Sequence, residues 1–243
     1  MGRILAFVYG VVSYLVFFVT FLYAIGFVGN LLVPKSIDTG VPASFGRALL
    51  VNAVLLGIFA LQHSIMARPG FKRWWTRFVP QPIERSTYVL LSSLALILLF
   101  WQWQPMPRVL WSVENPAVRL GLWVIFFLGW AMVLTSTFLI NHFDLFGLRQ
   151  VYLYQRRQEY SNIGFKTPFL YRFVRHPLLL GFIIAFWATP RMTVGHLIFA
   201  LATTAYMLIA IQLEERDLVS YHGAAYEDYR RKVSMLLPIP KKG

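Results

Sequence analysis

Four short stretches hold most of the side chains able to do acid–base or charge chemistry in this 243-residue chain. The first is Arg175-His176-Pro177-Leu178-Leu179-Leu180-Gly181. Pro177 suits the first position of a helix, where its missing N–H costs nothing, so His176 falls at the cap. The free amides of that first turn, with Arg175, suit an anion such as a carboxylate or phosphate. The same Arg would serve equally as a snorkelling anchor for a membrane helix. The second stretch, Glu214-Glu215-Arg216-Asp217, is expected to end a helix returning from a hairpin. Carboxylates there oppose the helix dipole and call for a positive partner, either Arg175 in a structural salt bridge or the amine and hydroxyls of a ligand. The third is Asn141-His142-Phe143-Asp144-Leu145-Phe146-Gly147-Leu148-Arg149-Gln150. The fourth pairs Gln62-His63-Ser64 and Arg68 with Glu84-Arg85-Ser86-Thr87-Tyr88. Both can also be read as interface residues closing membrane helices.

The elements that must position these groups are apolar. The chain is 58% hydrophobic and 17% aromatic with a mean hydropathy of +0.58, which is too apolar for a soluble domain of this length. Its net charge of +13 sits between long apolar runs, so it orients helices against a bilayer and does not point to nucleic acid. The absence of cysteine removes disulfides, thiolate-ligated metals and thiolate nucleophiles together. No His-x-x-x-His or His-Glu-x-x-His spacing occurs, so no metal is expected.

Four segments reach spanning length, about Leu5–Val33, Leu49–Met66, Tyr88–Trp103 and Leu120–Ile140. The first is too long for a signal peptide and is read as a retained span. A fifth unit is a helical hairpin with a short first arm, Leu178–Ala188, a break at Thr189-Pro190-Arg191 and a full-length return over Val194–Leu213. The expected fold is therefore an all-α integral membrane domain covering residues 1–243, with about five transmembrane units. Residues 141–177 and 214–243 would form a cytoplasmic cap, and Pro238 to Gly243 a tail. Placing both termini in the cytoplasm leaves only Lys35, Arg47, Arg108, Arg119 and Arg191 of the 23 Lys and Arg on the far side.

A small, zwitterionic, ribose-bearing cytosolic ligand would satisfy the basic and acidic stretches together, and S-adenosylmethionine is such a molecule. Arg-His-Pro-x-x-x-Gly, a hairpin, Glu-Glu, then Gly223, Tyr226 and Tyr229 before a terminal proline region resembles the isoprenylcysteine carboxyl methyltransferase and phospholipid methyltransferase superfamily of integral membrane enzymes. The resemblance covers about residues 171–240. It implies a cofactor site between hairpin and cap without a Rossmann domain, and no Gly-x-Gly-x-x-Gly follows a strand-like run here. Carried over by position, His176, Pro177 and Gly181 shape the cofactor pocket and Arg175, Glu214 and Glu215 make polar contacts, with Leu180 and Gln150 completing the set. Leu179 stands where many isoprenylcysteine enzymes have Tyr, which argues against a prenylated substrate.

With the third and fourth stretches included, nearly the whole chain is similar to bacterial methanethiol S-methyltransferases, which make dimethyl sulfide. That resemblance implies S-adenosylmethionine as cofactor, methanethiol as substrate, the bilayer as surroundings and no required protein partner. The demanding step is then forming a thiolate, because a free thiol titrates near 8.5 or above. Asp144 and His142 are the leading candidates for removing the proton, with Asn141 positioning, His63 a further base, and Arg85 and Arg149 orienting or stabilising charge. Phe143 and Phe146 beside them suit a narrow pocket for a small volatile substrate. The competing readings are a methyltransferase of a prenylcysteine or lipid amine, and a non-catalytic membrane accessory protein. A transporter fits less well, since only one helix is interrupted.

Overall fold

The structure, a computed structural model, describes residues 2–161 and 164–239. Pro240 to Gly243, part of the expected tail and of the expected cap, lie outside the described residues. In chain order the helices are α1 (Arg3–Gly29), α2 (Phe45–Ala67), α3 (Pro69–Trp75), α4 (Gln81–Gln102), α5 (Pro116–Ile140), α6 (His142–Leu145), α7 (Leu148–Gln155), α8 (Pro177–Trp187), α9 (Val194–His222) and α10 (Ala224–Lys232). Five of them, α1, α2, α4, α5 and α9, are long and apolar enough to cross a membrane, and the protein is a multi-pass integral membrane protein. The short α8 matches the expected first arm of the hairpin, about 16 Å at 1.5 Å per residue.

Two helix ends differ from the hydropathy reading. α4 begins at Gln81, about two turns before Tyr88, so Glu84 and Arg85 lie inside its first turns. Pro82 is tolerated there, and polar residues with good helix propensity lower hydropathy without breaking a helix. α9 likewise runs past Leu213 to His222 and stops at Gly223, whose φ of +56° only glycine adopts without strain. Glu214 and Glu215 therefore do not terminate the returning helix, and the expected conflict with its dipole does not arise.

The chain divides into two compact units. One comprises Met1–Val109, Asn141–Asn162 and Thr193–His196; the other comprises Leu110–Ile140, Ile163–Met192 and Leu197–Gly243. In the first, α1, α2, α4 and α7 pack around one another. α1 turns Ala6, Gly10, Ser13 and Thr20 inward and leaves Leu5, Val12, Leu15 and Val19 exposed. That inversion of the soluble pattern is expected where lipid covers the apolar face and small residues let helices approach. A Cβ on Gly10 would lie 2.5 Å from Val151 Cγ2, so α1 and α7 meet almost backbone to side chain. At the other end Asn52 clamps the chain leaving α4, donating to Gln104 C=O and accepting from its N–H, both at 2.8 Å.

In the second unit α5 lies along α8. A Cβ on Gly129 would sit 2.8 Å from Gly181 O, and one on Gly181 would sit 2.7 Å from Gly129 O, so only two glycines permit this contact. Trp130 packs edge-on against Phe182 and Phe186 beside it. The break after α8 adds an element the sequence did not suggest: Arg191–Thr193 pairs with Val109–Ser112 in a two-stranded sheet.

Candidate active site

The positions of Arg175 and His176 are set by backbone pairing before any side chain is considered. Val174 forms a parallel bridge with Ser234, and the N–H groups of Arg175 and His176 donate to Ser234 C=O and Met235 C=O at 2.9 and 3.2 Å. Pro177 then opens α8. Held this way, both side chains meet Glu215. Arg175 Nε donates to Glu215 Oε1 at 2.6 Å, His176 Nε2 lies 3.1 Å from the same oxygen, and Arg230 Nε is 3.7 Å from Oε2. Arg175 Nη1 adds bonds to the carbonyls of Arg230 and Val233. The Arg175 and Glu215 side chains are only 6% and 8% exposed. Arg175 and Glu215 thus form a buried salt bridge.

Glu214 is placed differently. Its side chain is 52% exposed and its carboxylate is 3.7 Å from His176 Nδ1. Because the imidazole turns toward the two acids, it makes no capping bond to the first turn of α8. Gly181 and Pro177 are buried, and Gly181 spends its missing side chain on the contact with Gly129. The surrounding cap is built from tyrosines. Tyr229 donates to Tyr171 C=O, and burial pushes its hydroxyl up to about 12, so it stays a donor. Burial also raises Tyr171 and Tyr226, the latter further through Glu215. A cleft of about 340 Å³ opens beside α10, lined among others by Phe165, Arg172, Asp228 and Tyr229, and none of the expected cofactor residues lines it.

The first unit carries the third and fourth stretches, which meet where the Ser86 hydroxyl donates to Gly147 C=O at 3.3 Å. Asn141 caps α6, its side chain accepting from Asp144 N–H at 3.1 Å. Asp144 Oδ1 accepts from Arg149 Nη1 at 3.0 Å and from Gln150 Nε2 at 3.4 Å, while Oδ2 accepts from the Tyr160 hydroxyl at 3.2 Å. Arg149 also holds Ser161 through its carbonyl and hydroxyl, and lies over the Tyr160 ring. Burial and the Asp144 charge raise the Tyr160 hydroxyl, which keeps it a donor. Asp144 thus has both oxygens engaged, and Gln150, expected at the cofactor, is bound to it. Gly147, at φ +87°, follows, with Ser86 so close that a Cβ would lie 2.7 Å from its nitrogen.

His142, two residues before Asp144, faces another way. It is 3% exposed, its Nε2 lies 2.8 Å from the Tyr14 hydroxyl, and burial lowers its affinity for a proton. Phe146 packs edge-on against its ring and stacks on Phe17 with centroids 3.8 Å apart, whereas Phe143 is half exposed. The His63 ring centroid is 5.2 Å from those of Phe59 and Tyr88, and the Tyr88 hydroxyl lies 3.0 Å from both of its nitrogens. Arg85 stands over the Tyr88 ring at 5.5 Å. Tyr14, Tyr160 and Arg230 lie outside the four stretches, and Tyr88, which closes the fourth, is given no role by the sequence. Three are aromatics in a chain full of aromatics, and no local spacing separates them from lipid-facing ones.

Residues 50–235 match the model of a family described as NnrU protein. The methanethiol S-methyltransferase of Mycobacterium tuberculosis is 63% identical over 242 residues, covering 100% of this chain and 99% of that protein. The chain belongs to the family of NnrU proteins and methanethiol S-methyltransferases. Other members include methanethiol S-methyltransferase 2 of Bradyrhizobium diazoefficiens, 58% identical over 98% of this chain and 91% of that protein. Nurim of Bos taurus is more distant, 31% identical over 68% of this chain and 65% of its own length. No solved structure matches this member of the family.

Proposed function

We propose that this protein methylates the thiol of methanethiol with S-adenosylmethionine, giving dimethyl sulfide, and that the whole chain, residues 1–243, works as one methyltransferase. The observation that carries the reading is the near full-length identity to proteins named for that reaction. The cofactor would supply an electrophilic methyl group on a sulfonium. Two features of the second unit fit such a molecule: Glu214, an exposed carboxylate suited to its amine or hydroxyls, and the first turn of α8, whose amides carry no side-chain cap and suit its carboxylate. Arg175 and Glu215 hold the turn that presents them, with His176, Pro177, Leu180 and Gly181 in the same segment.

Thiol activation is assigned to the first unit, to His63, Arg85, Asn141, His142, Asp144 and Arg149. The distribution of Lys and Arg supports cytoplasmic termini and cofactor entry from the cytosol, and the bacterial sources of the relatives support insertion in a bacterial inner membrane. A substrate this small and apolar can arrive through the bilayer, and neither nucleic acid nor a protein partner is required.

The test is headspace gas chromatography of purified protein in detergent with S-adenosylmethionine and methanethiol, against a Glu214→Ala control. Dimethyl sulfide above that control is expected. No product with cofactor binding intact would overturn the substrate assignment and favour a prenylated or lipid acceptor. Unchanged cofactor affinity in both Glu214→Ala and His176→Ala would overturn the cofactor site.

A further inference from the structure

We infer that α3 and the turn after it form a binding surface for anionic phospholipid, with Lys72, Arg73 and Arg77 holding the phosphate and Trp74 and Phe78 as the apolar anchor. The inference lies beyond the methylation reading and does not depend on it. It starts from an imbalance of charge within the first unit. Between Arg68 and Arg85 the chain carries five basic residues and one acid, Glu84. Lys72, Arg73, Arg77 and Arg85 form no ion pair among the described residues, and Glu84 Oε1 is buried without a donor. Lys72 shows the consequence: burial lowers its proton affinity, and Arg85 and Arg68 lower it further against the opposing pull of Glu84. A half-buried ammonium among guanidiniums is a group short of an anion.

The place of α3 in the chain says where that anion comes from. α2 ends at Ala67 and α4 begins at Gln81, and both are long and apolar enough to span a membrane. The segment joining them therefore lies where helix ends reach the headgroups. α3 closes at Trp75, but the N–H groups of Arg77, Phe78 and Val79 still donate to the carbonyls of Trp74 and Trp75, so the chain keeps turning. This gives the segment two faces. On the inner one, Phe71 and Trp75 pack against buried Met66, Tyr88 and Val89. The Trp75 indole N–H is buried with no acceptor, which adds an unsatisfied donor to the unpaired cations. On the outer one, Trp74 and Phe78 meet edge-on at 5.4 Å and stay 48% and 68% exposed, and their sequence neighbours Arg73 and Arg77 are exposed too.

The two kinds of exposed group select the ligand between them. Guanidinium and ammonium groups suit phosphate oxygens. Large rings left open at the end of a membrane helix suit the boundary between headgroups and acyl chains. A free phosphate ion would answer the charges and leave the rings uncovered, whereas a phosphodiester carrying acyl chains answers both. The exposed basic pair of α10 differs, because Arg231 and Lys232 bind Asp228 at 3.2 and 2.6 Å. That pair serves as a control.

The experiment titrates the full chain, delipidated in neutral detergent, with dioleoylphosphatidylglycerol or dioleoylphosphatidylcholine and counts bound lipid by native mass spectrometry. Wild type is expected to bind the anionic lipid about tenfold or more tightly than the zwitterionic one. The combined variant Lys72→Gln, Arg73→Gln and Arg77→Gln should weaken the anionic lipid by about fivefold per charge removed. Arg231→Gln with Lys232→Gln should leave it within about twofold, and Trp74→Ala with Phe78→Ala should weaken both lipids alike. Equal affinity of wild type for the two lipids overturns the inference. So does a loss per charge in the control variant as large as in the α3 variant, since net charge alone would then attract the lipid. Binding of glycerol 3-phosphate as tight as that of the anionic lipid overturns the lipid as ligand. Where the combined variant does not fold, Arg73→Gln with Arg77→Gln, at exposed and unpaired side chains, carries the same test. The readout is bound lipid, so failure here leaves the methylation reading standing.

Discussion

The acidic centre of the second unit and the basic centre of the first solve the problem of charge beside long apolar helices in opposite ways. Around Glu215 the charges are paired: Arg175, His176 and Arg230 converge on one buried carboxylate, and Arg175 Nη1 donates to two backbone carbonyls. Around Tyr88 the cluster is open, since Arg85 sits over a ring and has no acid of its own among the described residues. A closed cluster fixes a chain segment, here the turn leading into α8. An open one keeps an interaction in reserve for a ligand of the missing sign. The contrast teaches that residues of a recognisable motif can be engaged with one another: the Arg-His-Pro and Glu-Glu stretches supply Arg175, His176 and Glu215 to one buried cluster.

The largest effect should come from opening the closed cluster. Glu215→Ala leaves Arg175 buried without its partner and is expected to cost about 3–5 kcal/mol, read as a fall in the thermal midpoint in detergent. Adding Arg175→Met should recover part of that loss; no recovery would mean that the pair does more than neutralise charge. Gly129→Ala forces a methyl group against α8 and should cost about 1–3 kcal/mol by the same assay. Asp144→Asn, at a site partly open to solvent, should cost on the order of 1 kcal/mol, and the segment from Arg149 to Ser161 should become more sensitive to protease. Arg85→Gln breaks no ion pair and should change stability by less than about 1 kcal/mol. A loss as large as that of Glu215→Ala would show that the basic cluster is closed after all.

The smallest effect concerns pH. Burial lowers the proton affinity of His142, so below about pH 6.5 the unfolded chain binds more protons than the folded one. Stability should therefore be fully present above that pH and fall as the pH drops through the folded value. His142→Gln should flatten this slope; an unchanged slope would place its cause in other groups.

Spanning helices were legible because a bilayer demands long apolar runs, and α1, α2 and α5 lie close to the segments read from hydropathy. The ends of α4 and α9 were not, because hydropathy reports where lipid stops while helix hydrogen bonding continues through Glu84, Arg85, Glu214 and Glu215. The pairing of Arg175 with the acidic stretch could be foreseen from a hairpin that returns to its starting level. Which of two neighbouring glutamates accepts it could not, since successive residues on a helix point about 100° apart and only the packing decides which one turns inward.

The sequence by itself therefore determined that this is a helical membrane protein, which residues carry its charge, and the family to which it belongs. These follow from hydrophobic length, composition and the order of short motifs, all properties of the chain read locally. Only the tertiary structure decided that Glu215 is bound and Glu214 exposed, that Gly181 serves a helix contact, and that Tyr14, Tyr88 and Tyr160 are partners of His142, His63 and Asp144. Those choices depend on contacts between residues as many as 128 positions apart, as in Tyr14 and His142, and no local periodicity encodes them.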